Sequence, residues 1–302
     1  PVAPAENFLP MTNAPYLDND EIVFVRRLAE ECGRLAISMR DSIEIREKTG
    51  PDDPVTSADT ALSKIIVAEL SARFEGDQVI SEEDHTHPTA VASSRVWLID
   101  PIDGTKNYIK GNGQYSVMIG LLVDCKPVFG FVCEAEAGKC YYGGPGYGAF
   151  VRYSQGKVDS IGEQSALSLD STDSTDSPDS SSNVRVIMGT RDRKRNPWIE
   201  EIDSVEVIKT GSIGLKVARI LEGEADIMIH LSGKLKTWDT AGPAAIALGG
   251  NLEVGTLSGP DLNFPLPKLI HNEAVIMGRG GSLNWCRLKL TDPNPMEASG
   301  KS

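Results

Sequence analysis

The sequence is poor in cysteine and histidine, which limits the kinds of site it can carry. Only five of its 302 residues are cysteine and four are histidine. An odd cysteine count without C-x-x-C spacing argues against a disulfide framework and favours reduced, mostly buried thiols, so we expect a cytoplasmic compartment. A redox-responsive pair stays possible among Cys125, Cys133 and Cys140.

Long apolar runs are also missing, and positive charge is in the minority. No stretch approaches the roughly 18 apolar residues that cross a bilayer, and we expect neither a signal peptide nor a membrane partner. Acidic residues outnumber basic ones by 43 to 30, for a formal net charge of −13. This charge argues against a nucleic-acid polymer as partner, and a small anionic ligand would need local cations.

What the sequence does have is a buried strand that ends in two carboxylates. Residues 96–99 are a short run of apolar β-formers, typical of a strand covered on both faces. Asp100 and Asp103 follow, and Pro101 between them is expected to end the strand. Two carboxylates so close together repel each other unless a cation lies between them, which suits Mg²⁺. The alternative interpretation is an ordinary solvated turn rich in aspartate.

Hydrophobic spacing predicts helices and strands on both sides of a polar segment. We expect a first amphipathic helix with Asp20 as N-cap and a core face from Ile22 to Met39, and a second over about 58–74. Strands are predicted at 79–80, 96–99, 116–123, 128–135, 139–142, 147–152, 184–188, 225–230 and 274–277, and further helices at 212–222 and 240–248. The segment 47–54 is predicted to be a loop.

The Ser- and Asp-rich segment 165–183 cannot bury a core, so we expect a solvated loop there. It divides the chain into an N-terminal α+β half, residues 1–164, and a C-terminal α/β half, residues 184–302. The first half would carry most of the acidic candidate residues. The second would carry Asp239 and the basic loops.

Three acidic blocks occur in the order typical of a known family. They are S-E-E-D at 81–84, D-P-I-D-G-T at 100–105, and W-D-T-A-G at 238–242. Together they resemble the inositol monophosphatase superfamily of Mg²⁺-dependent, lithium-sensitive phosphatases, from about Ile22 to Met277. The resemblance implies a fold of class α/β (α+β), a layered αβαβα sandwich with the active site between its halves. Taken singly, Glu82 could be a solvated loop acid and Asp239 a helix cap.

The resemblance also implies a metal site with two or three Mg²⁺ ions. Glu82, Asp100 and the backbone carbonyl of Ile102 would hold the first ion. Asp100, Asp103 and Asp239 would hold the second, with Asp100 bridging. A third, loosely held ion would lie near Glu82. Two divalent ions balance the four carboxylates, so the ions would let an acidic protein bind an anionic substrate.

Catalytic roles follow from the same resemblance for Asp59 and Thr105. Asp59 would accept a hydrogen bond from the Thr105 hydroxyl, which orients the attacking water, and in-line attack on phosphorus would proceed without a covalent enzyme intermediate. The backbone N–H groups of Gly104 and Thr105, at a helix start, would hold phosphate oxygens. Asp59 could equally be a helix N-cap, and both roles are compatible.

Two segments favour a nucleotide over a sugar phosphate as the substrate. Gly211, Ser212 and Lys216 lie in G-S-I-G-L-K, which is similar to the G-S-x-x-L-K of 3′(2′),5′-bisphosphate nucleotidases. Lys234 and Lys236 precede W-D-T in a run resembling the basic K-x-W-D-T of the same group, and they suit a second phosphate. We therefore predict hydrolysis of 3′-phosphoadenosine 5′-phosphate, a by-product of sulfate activation, to AMP and phosphate.

Two further positions bear on the substrate. Ser232 stands seven residues before Asp239, where inositol-preferring members usually carry Glu. Arg191 lies where nucleotidases show an S-R-S-H-like segment, but Asp192 departs from that pattern. Arg191 and the basic residues 193–195 could form a rim for the 5′-phosphate or an exposed charged turn. The two lysines before W-D-T could likewise belong to a solvated loop.

Other interpretations stay open. An inositol-1-phosphate or other sugar-phosphate phosphatase is the alternative within the enzyme class, and a non-catalytic metal- or nucleotide-binding sensor is the alternative outside it. His85 and His87 suggest Zn²⁺, but an otherwise all-oxygen site favours hard cations, so we expect surface histidines. The sequence leaves both a monomer and a homodimer possible.

Overall fold

Two large β-sheets alternate with three layers of helices, and a small two-stranded sheet lies apart from both in the strand pairing. The computed structural model describes residues 16–48, 53–84, 90–162, 165–167 and 183–290. Its helices are α1 (Asn19–Met39), α2 (Ser57–Arg73), α3 (Thr105–Lys110), α4 (Thr190–Arg195), α5 (Ile213–Leu221), α6 (Thr237–Gly249) and α7 (Ser282–Leu290). Its strands are β1 (Ile45–Glu47), β2 (Pro54–Thr56), β3 (Gln78–Ser81), β4 (Arg95–Asp103), β5 (Ser116–Val123), β6 (Lys126–Glu134), β7 (Lys139–Gly144), β8 (Gly148–Tyr153), β9 (Val158–Ile161), β10 (Val184–Met188), β11 (Val205–Lys209), β12 (Ile227–His230), β13 (Glu253–Thr256) and β14 (Val275–Gly278).

The first sheet has seven strands in the order β3 to β9, and both of its faces are buried. Side chains alternate along β4, so that Trp97 and Ile99 pack with α1 and α2 while Val96 and Leu98 pack with α5 and α6. A run of consecutive apolar residues is what such a doubly covered strand requires. The sequence prediction of a strand covered on both faces is therefore correct for β4.

The second sheet has five strands in the order β11-β10-β12-β14-β13. One of its faces shares the core of α5 and α6, where Ile187, Met228 and Met277 are buried. The other face packs with α7 through Trp285 and Cys286. The layers thus run helix, sheet, helix, sheet, helix, and the predicted αβαβα sandwich is confirmed.

Helix α1 begins two residues before the predicted start. Asp18, not Asp20, is the N-cap: its Oδ1 accepts from the Glu21 N–H at 2.8 Å, and Glu21 Oε2 accepts from the Asp18 N–H at 2.9 Å. This reciprocal pair is a capping box, which needs the D-x-x-E spacing that only Asp18 provides here. The predicted cap at Asp20 is therefore wrong, although the predicted helix and its core face are present.

Strand β4 does not end at Pro101, and the predicted end there is wrong. Asp100 pairs with Met118 and Asp103 with Ser116, so two residues of β4 face one residue of β5. A bulge of this kind tolerates proline because its extra residue makes no ladder hydrogen bond. The bulge carries the strand onward and places both aspartates at one end of the sheet.

Several elements lack a clear signal in the sequence. Strands β9, β11 and β13 are only four or five residues long, and the first two are mostly half-buried or exposed. Helix α4 is a short charged segment, and α7 follows the last strand. The first and last residues of the predicted loop at 47–54 belong to two paired strands, β1 and β2, and its residues 49–52 lie outside the described residues.

Some expectations cannot be compared with the structure. His85, His87 and residues 168–182 of the Ser- and Asp-rich segment lie outside the described residues. The division into two halves stays a prediction, and one hydrophobic cluster joins Val96 of the first half to Met228 and Met277 of the second. Within the described ranges, no helix combines the length and the apolar character needed to cross a membrane.

A buried ion-pair group ties β10 and β14 to the start of β12. Asp226 is nearly buried and accepts from the Arg185 N–H and from Arg185 Nη2, both at 2.8 Å, and from Arg279 Nη1 at 2.6 Å. Burial alone would raise the pKa of Asp226, but the hydrogen bonds from both arginines outweigh it and hold this pKa below its ordinary value. The Asp226 carboxylate therefore stabilises the fold above that ordinary pKa, and its contribution is lost as the pH falls.

We expect Asp226→Asn to lower the free energy of unfolding at pH 7 by about 2 kcal/mol, the typical net value of hydrogen bonds to a charged group. The difference from wild type should shrink as the pH drops below about 4, where an unperturbed carboxyl takes up its proton. Urea unfolding at a series of pH values measures both effects. The exposed Asp203 supplies the control Asp203→Asn, and an Asp226→Asn difference that does not change with pH would contradict the ion-pair explanation.

Candidate active site

Three carboxylates from different elements meet at one end of the seven-stranded sheet. Glu82 directly follows β3, Asp100 lies in β4, and Asp239 stands in the first turn of α6. Strands β3 and β4 are parallel neighbours, and the Glu82 N–H donates to the Ile99 carbonyl at 3.0 Å. One carboxylate oxygen from each of the three acids lies within 4.8 Å of the others. The fold therefore brings together residues that are 157 positions apart (239 − 82).

The electrostatics of this group favour a bound cation. Burial raises the pKa of Asp100 well above its ordinary value, and the nearby charges of Glu82, Asp103 and Asp239 raise it further. Burial, followed by Glu82 and Asp103, also raises the pKa of Asp239. Carboxylates in this state would take up protons unless a cation compensated them. An all-oxygen donor set of this kind fits a hard divalent metal, so the acidic cluster could bind one.

Asp103 lies beside these carboxylates but is held by α5. Its Oδ2 accepts from Ser212 Oγ at 2.6 Å, from the Gly214 N–H at 3.2 Å, and from the Ile213 N–H. Burial raises the pKa of Asp103, while the Lys216 ammonium opposes that rise. Asp103 therefore connects the acidic end of β4 to the start of α5. Its predicted role as a metal ligand stays a prediction, with Oδ1 as the oxygen outside these contacts.

Asp59 lies in the first turn of α2 and is not its N-cap, so the alternative that made Asp59 the N-cap is wrong. Its Oδ2 accepts from the hydroxyl and the N–H of Thr56 at 2.6 and 2.8 Å, in a capping box with Thr56 as the N-cap. Its Oδ1 lies 3.2 Å from Thr105 Oγ1, which also lies 3.1 Å from the Ile102 carbonyl. Burial raises the pKa of Asp59, although the Thr56 hydrogen bonds oppose this. The capping role and the contact with Thr105 thus coexist.

The turn after β4 requires glycine at position 104. Gly104 has φ of +93°, and a Cβ there would lie 2.8 Å from the Gln114 carbonyl oxygen. The backbone turns at this residue into the short helix α3, with Gly104 as its N-cap and Thr105 as its first residue. The N–H groups at such a helix start point away from the helix and can face an anion. Gly104 and Thr105 thus directly follow Asp103 at the bulge of β4, and their contact with a phosphate group stays a prediction.

The G-S-I-G-L-K segment forms the start of α5 and contacts Asp103. Gly211 is packed so closely against Asn107 that a Cβ would fall 1.8 Å from Asn107 Nδ2. Ser212 is buried, caps α5 by accepting from the Leu215 N–H, and donates to Asp103. Lys216 is buried, and its Nζ donates to the Gly211 carbonyl at 3.2 Å. The Ser212 side chain therefore contacts Asp103, and the Lys216 side chain contacts the Gly211 backbone. Their predicted contact with substrate stays a prediction.

The two lysines of the K-L-K-T-W-D run are exposed, in contrast to Lys216. Lys236 is the N-cap residue of α6, its N–H donates to Asp239 Oδ2 at 2.8 Å, and its Nζ lies 5.9 Å from the centre of the Trp238 ring. The Ser232 hydroxyl lies 2.7 Å from His230 Nε2. The segment that leads into α6 and Asp239 thus presents two exposed cationic side chains.

The predicted basic rim is only partly available. Arg191 lies in α4, which the sequence analysis did not predict as a helix. Arg193 in the same helix forms an ion pair with Glu200. Asp192 is buried, and its Oδ2 accepts from the Leu231 N–H at 2.8 Å. The departure from the nucleotidase pattern at Asp192 therefore has a structural role, because this carboxylate anchors the end of β12.

One charged residue at the site was missed by the sequence analysis. Lys48, in the hairpin turn after β1, donates through Nζ to Glu82 Oε1 at 2.8 Å and to Glu83 Oε1 at 2.5 Å. The segment around it was predicted only as a charged loop. Contacts across 34 and 35 positions of sequence leave no local pattern that could reveal them.

Comparison with known proteins agrees with this geometry. The profile of the inositol monophosphatase family matches residues 18–285 of the chain. The chain belongs to the inositol monophosphatase family. Its members are phosphatases that hydrolyse phosphomonoesters and depend on metal ions, and the acidic cluster of this chain could bind one.

The relatives differ in the substrate that their names state. A histidinol-phosphatase of Chlorobaculum parvum is 36% identical over 158 residues, which cover 52% of this chain and 60% of that protein. The 3′(2′),5′-bisphosphate nucleotidase CysQ of Aggregatibacter actinomycetemcomitans is 28% identical over 279 residues, which cover 91% of this chain and 98% of that protein. The relatives thus share the family and differ in their substrates.

A solved structure supports the fold independently. Staphylococcal IMPase-I, crystallised with products, superposes with a TM-score of 0.72 at 20% identity and covers 92% of this chain and 97% of its own. At this identity the likeness concerns the fold alone. It agrees with the αβαβα layering described above.

Proposed function

We propose that this protein is a Mg²⁺-dependent 3′(2′),5′-bisphosphate nucleotidase that hydrolyses 3′-phosphoadenosine 5′-phosphate to AMP and phosphate. The observation that carries the choice of substrate is the pair of exposed cations, Lys234 and Lys236, which stand five and three residues before Asp239 of the acidic cluster. A substrate with two phosphates needs positive charge beyond the metal site. An uncharged polyol ring does not.

The residues of the acidic cluster would hold the metal. Glu82, Asp100 and Asp239 would be ligands, with Asp103 and the Ile102 carbonyl at the edge of the group. Mg²⁺ at these positions would neutralise the carboxylates, attract the phosphate ester and acidify a water molecule. The low exposure of Asp100, about 2%, supports this assignment, because a buried anionic centre without a cation is costly.

Asp59 and Thr105 would position the attacking water. Thr105 Oγ1 has one proton, which it can give to Asp59 Oδ1 at 3.2 Å. Its lone pairs then remain available to accept a hydrogen bond from water. Asp59 cannot turn away, because both donors of Thr56 hold its other oxygen. The pair would thus fix a water on one side of the phosphorus, where a positioned nucleophile gains most.

The start of α3 would receive the phosphate group. The N–H groups of Gly104 and Thr105 follow the acidic bulge directly, so an ester phosphate could contact both the metals and these donors. Lys234 and Lys236 would then contact the second phosphate. Arg191 is a further candidate for that role.

We expect phosphate release from 3′-phosphoadenosine 5′-phosphate to exceed that from inositol-1-phosphate, histidinol phosphate and fructose-1,6-bisphosphate when all four are assayed in parallel with Mg²⁺ and with EDTA. The double variant Lys234→Met/Lys236→Met should raise the KM for the nucleotide about tenfold or more, the value of one charge-assisted contact. Its KM for the monophosphates should change little. Lys157→Met, on the distant β8–β9 turn, is the matched control.

A sugar phosphatase or histidinol-phosphatase is the second candidate function, and the similarity to a histidinol-phosphatase favours keeping it. Preference for inositol-1-phosphate or histidinol phosphate would retain the metal chemistry and refute the assignment of the two lysines. Equal loss of all four activities in the double variant would also refute it. Inhibition by Li⁺ is a further expectation of the proposal.

A further inference from the structure

The Lys48 side chain contacts two neighbouring carboxylates that differ in their surroundings. Its Nζ lies 2.8 Å from Glu82 Oε1 and 2.5 Å from Glu83 Oε1. The Lys48 side chain is 23% exposed, that of Glu82 is 27% exposed, and that of Glu83 is 9% exposed. Burial lowers the pKa of Lys48, but the attraction of Glu82 and the two hydrogen bonds outweigh it, so the group is a full ammonium ion.

Only one of these two partners, Glu82, belongs to the acidic cluster that could bind a metal. Glu82 shares the three-carboxylate group with Asp100 and Asp239. Glu83 is not part of that group and is a second hydrogen-bond partner for the ammonium. A cation placed between them can therefore give up Glu82 and still keep its hydrogen bond to Glu83.

The backbone fixes Lys48 at this position. Its N–H donates to the Asp53 carbonyl at 2.9 Å across the hairpin. The hairpin continues through β2 into Thr56, the N-cap that holds Asp59. Lys48 thus directly follows β1 of the strand pair that contains Thr56, which holds Asp59. This backbone pairing positions Lys48 for its contact with Glu82.

We propose that Lys48 is an internal cation that competes with a divalent metal for Glu82 and so sets the metal affinity of the site. The inference rests on the proposed function for the identity of the metal, Mg²⁺. In the metal-free protein the ammonium compensates part of the negative charge. When the metal binds, the ammonium is repelled from Glu82 and retains Glu83.

The physical argument concerns the charge balance in the two states. An ammonium and a divalent ion on the same carboxylate repel each other, so one must weaken the binding of the other. Displacing Lys48 leaves neither a buried ammonium without a partner nor an unpaired Glu83. The exchange therefore lowers the affinity for the metal without preventing metal binding. Lys48 would thus set the Mg²⁺ concentration at which the site fills.

Lys48→Met tests the competition directly. When Mg²⁺ is titrated into EDTA-stripped protein by calorimetry, we expect the variant to bind roughly fivefold to tenfold more tightly than wild type, the range of a partly exposed, charge-assisted pair. The Mg²⁺-induced rise of the thermal unfolding midpoint should begin at correspondingly lower concentration. Lys48→Arg keeps the charge and should bind Mg²⁺ nearly as wild type does. Lys157→Met removes a distant lysine and should change nothing.

Unchanged or weaker Mg²⁺ binding by Lys48→Met would overturn the proposal, and weaker binding would mean that Lys48 instead orients Glu82 for the metal. If Lys48→Met does not fold, Lys48→Gln, which keeps a hydrogen-bond donor without the charge, takes its place under the same criteria. A wild-type protein that binds Mg²⁺ but releases no phosphate from any substrate would refute the proposed function. The calorimetric comparison would still decide the role of Lys48.

Discussion

Asp100→Asn is expected to lower turnover at least about 10³-fold, because it removes a negative charge at the centre of the proposed metal site. The metals held there would balance the negative charge that develops on the phosphate. Asp100 is almost fully buried, and Glu82, Asp103 and Asp239 all act on its charge. Asparagine has nearly the same shape and keeps one oxygen, so packing around β4 should persist. The loss is therefore expected in turnover and metal binding rather than in folding.

The same variant should affect stability in the opposite direction when metal is absent. In EDTA, wild type holds mutually repelling buried carboxylates, and Asp100→Asn relieves part of that repulsion, so we expect its free energy of unfolding to rise by about 1–2 kcal/mol. With Mg²⁺ in excess the order should reverse, because wild type gains binding energy that the variant lacks. Urea unfolding with and without Mg²⁺ measures this crossing.

A distant aspartate provides the control for these measurements. Asp159→Asn removes a carboxylate on β9 that pairs with Lys157, far from the acidic cluster. It should leave turnover and the Mg²⁺ dependence of stability unchanged. Wild-type turnover in Asp100→Asn at saturating Mg²⁺ would refute the metal assignment, and so would a stability difference that Mg²⁺ does not reverse.

The core elements could be predicted because their sequence patterns record burial. The apolar run at 96–99 gave β4, and the spacing of Ile22, Val25 and Leu28 gave the core face of α1. The strands β9 and β11 were missed because they lie at or near sheet edges, where half-burial leaves no regular alternation. The bulge in β4 was missed because proline normally ends a strand, and only the pairing with β5 shows that it does not here.

The candidate site, like the fold, has some features that local sequence patterns predict and others that they do not. The acidic motif predicted which carboxylates would gather, since Glu82, Asp100 and Asp239 do meet. The partners of those carboxylates could not be predicted: Asp103 is held by the start of α5, 110 positions away, and Glu82 by Lys48, 34 positions away. Such contacts depend on how separate elements dock, which no local spacing encodes.

Close packing between α6 and the seven-stranded sheet is the second feature with a large expected effect. A Cβ at Gly130, in β6, would lie 2.1 Å from the Gly242 carbonyl oxygen. A Cβ at Gly120, in β5, would lie 2.4 Å from the Gly242 N. Both obstacles are backbone atoms, which no side-chain rotation can move. The helix therefore rests directly on the backbone of β5 and β6, and any side chain larger than hydrogen must push it away.

We expect Gly130→Ala to lower the free energy of unfolding by about 3 kcal/mol or more, the upper range for overpacking a core. At this chain length that corresponds to a fall of roughly 6–12 °C in the melting temperature. Gly259→Ala is the control, because a Cβ there would meet only Thr256 Oγ1, at an ordinary 3.8 Å. Calorimetry or urea unfolding compares the two variants.

A graded series keeps this prediction testable even if Gly130→Ala does not fold. A Cβ at Gly242 would lie 2.9 Å from the Ile119 carbonyl oxygen, a milder overlap than at Gly130, so Gly242→Ala should be intermediate between Gly130→Ala and Gly259→Ala. Since α6 carries Asp239 in its first turn, displacing the helix should also weaken the Mg²⁺-induced stabilisation in the same order. Equal stabilities across the three variants would contradict the close approach of helix and sheet. Altered stability with unchanged Mg²⁺ binding would show that Asp239 is positioned independently of that contact.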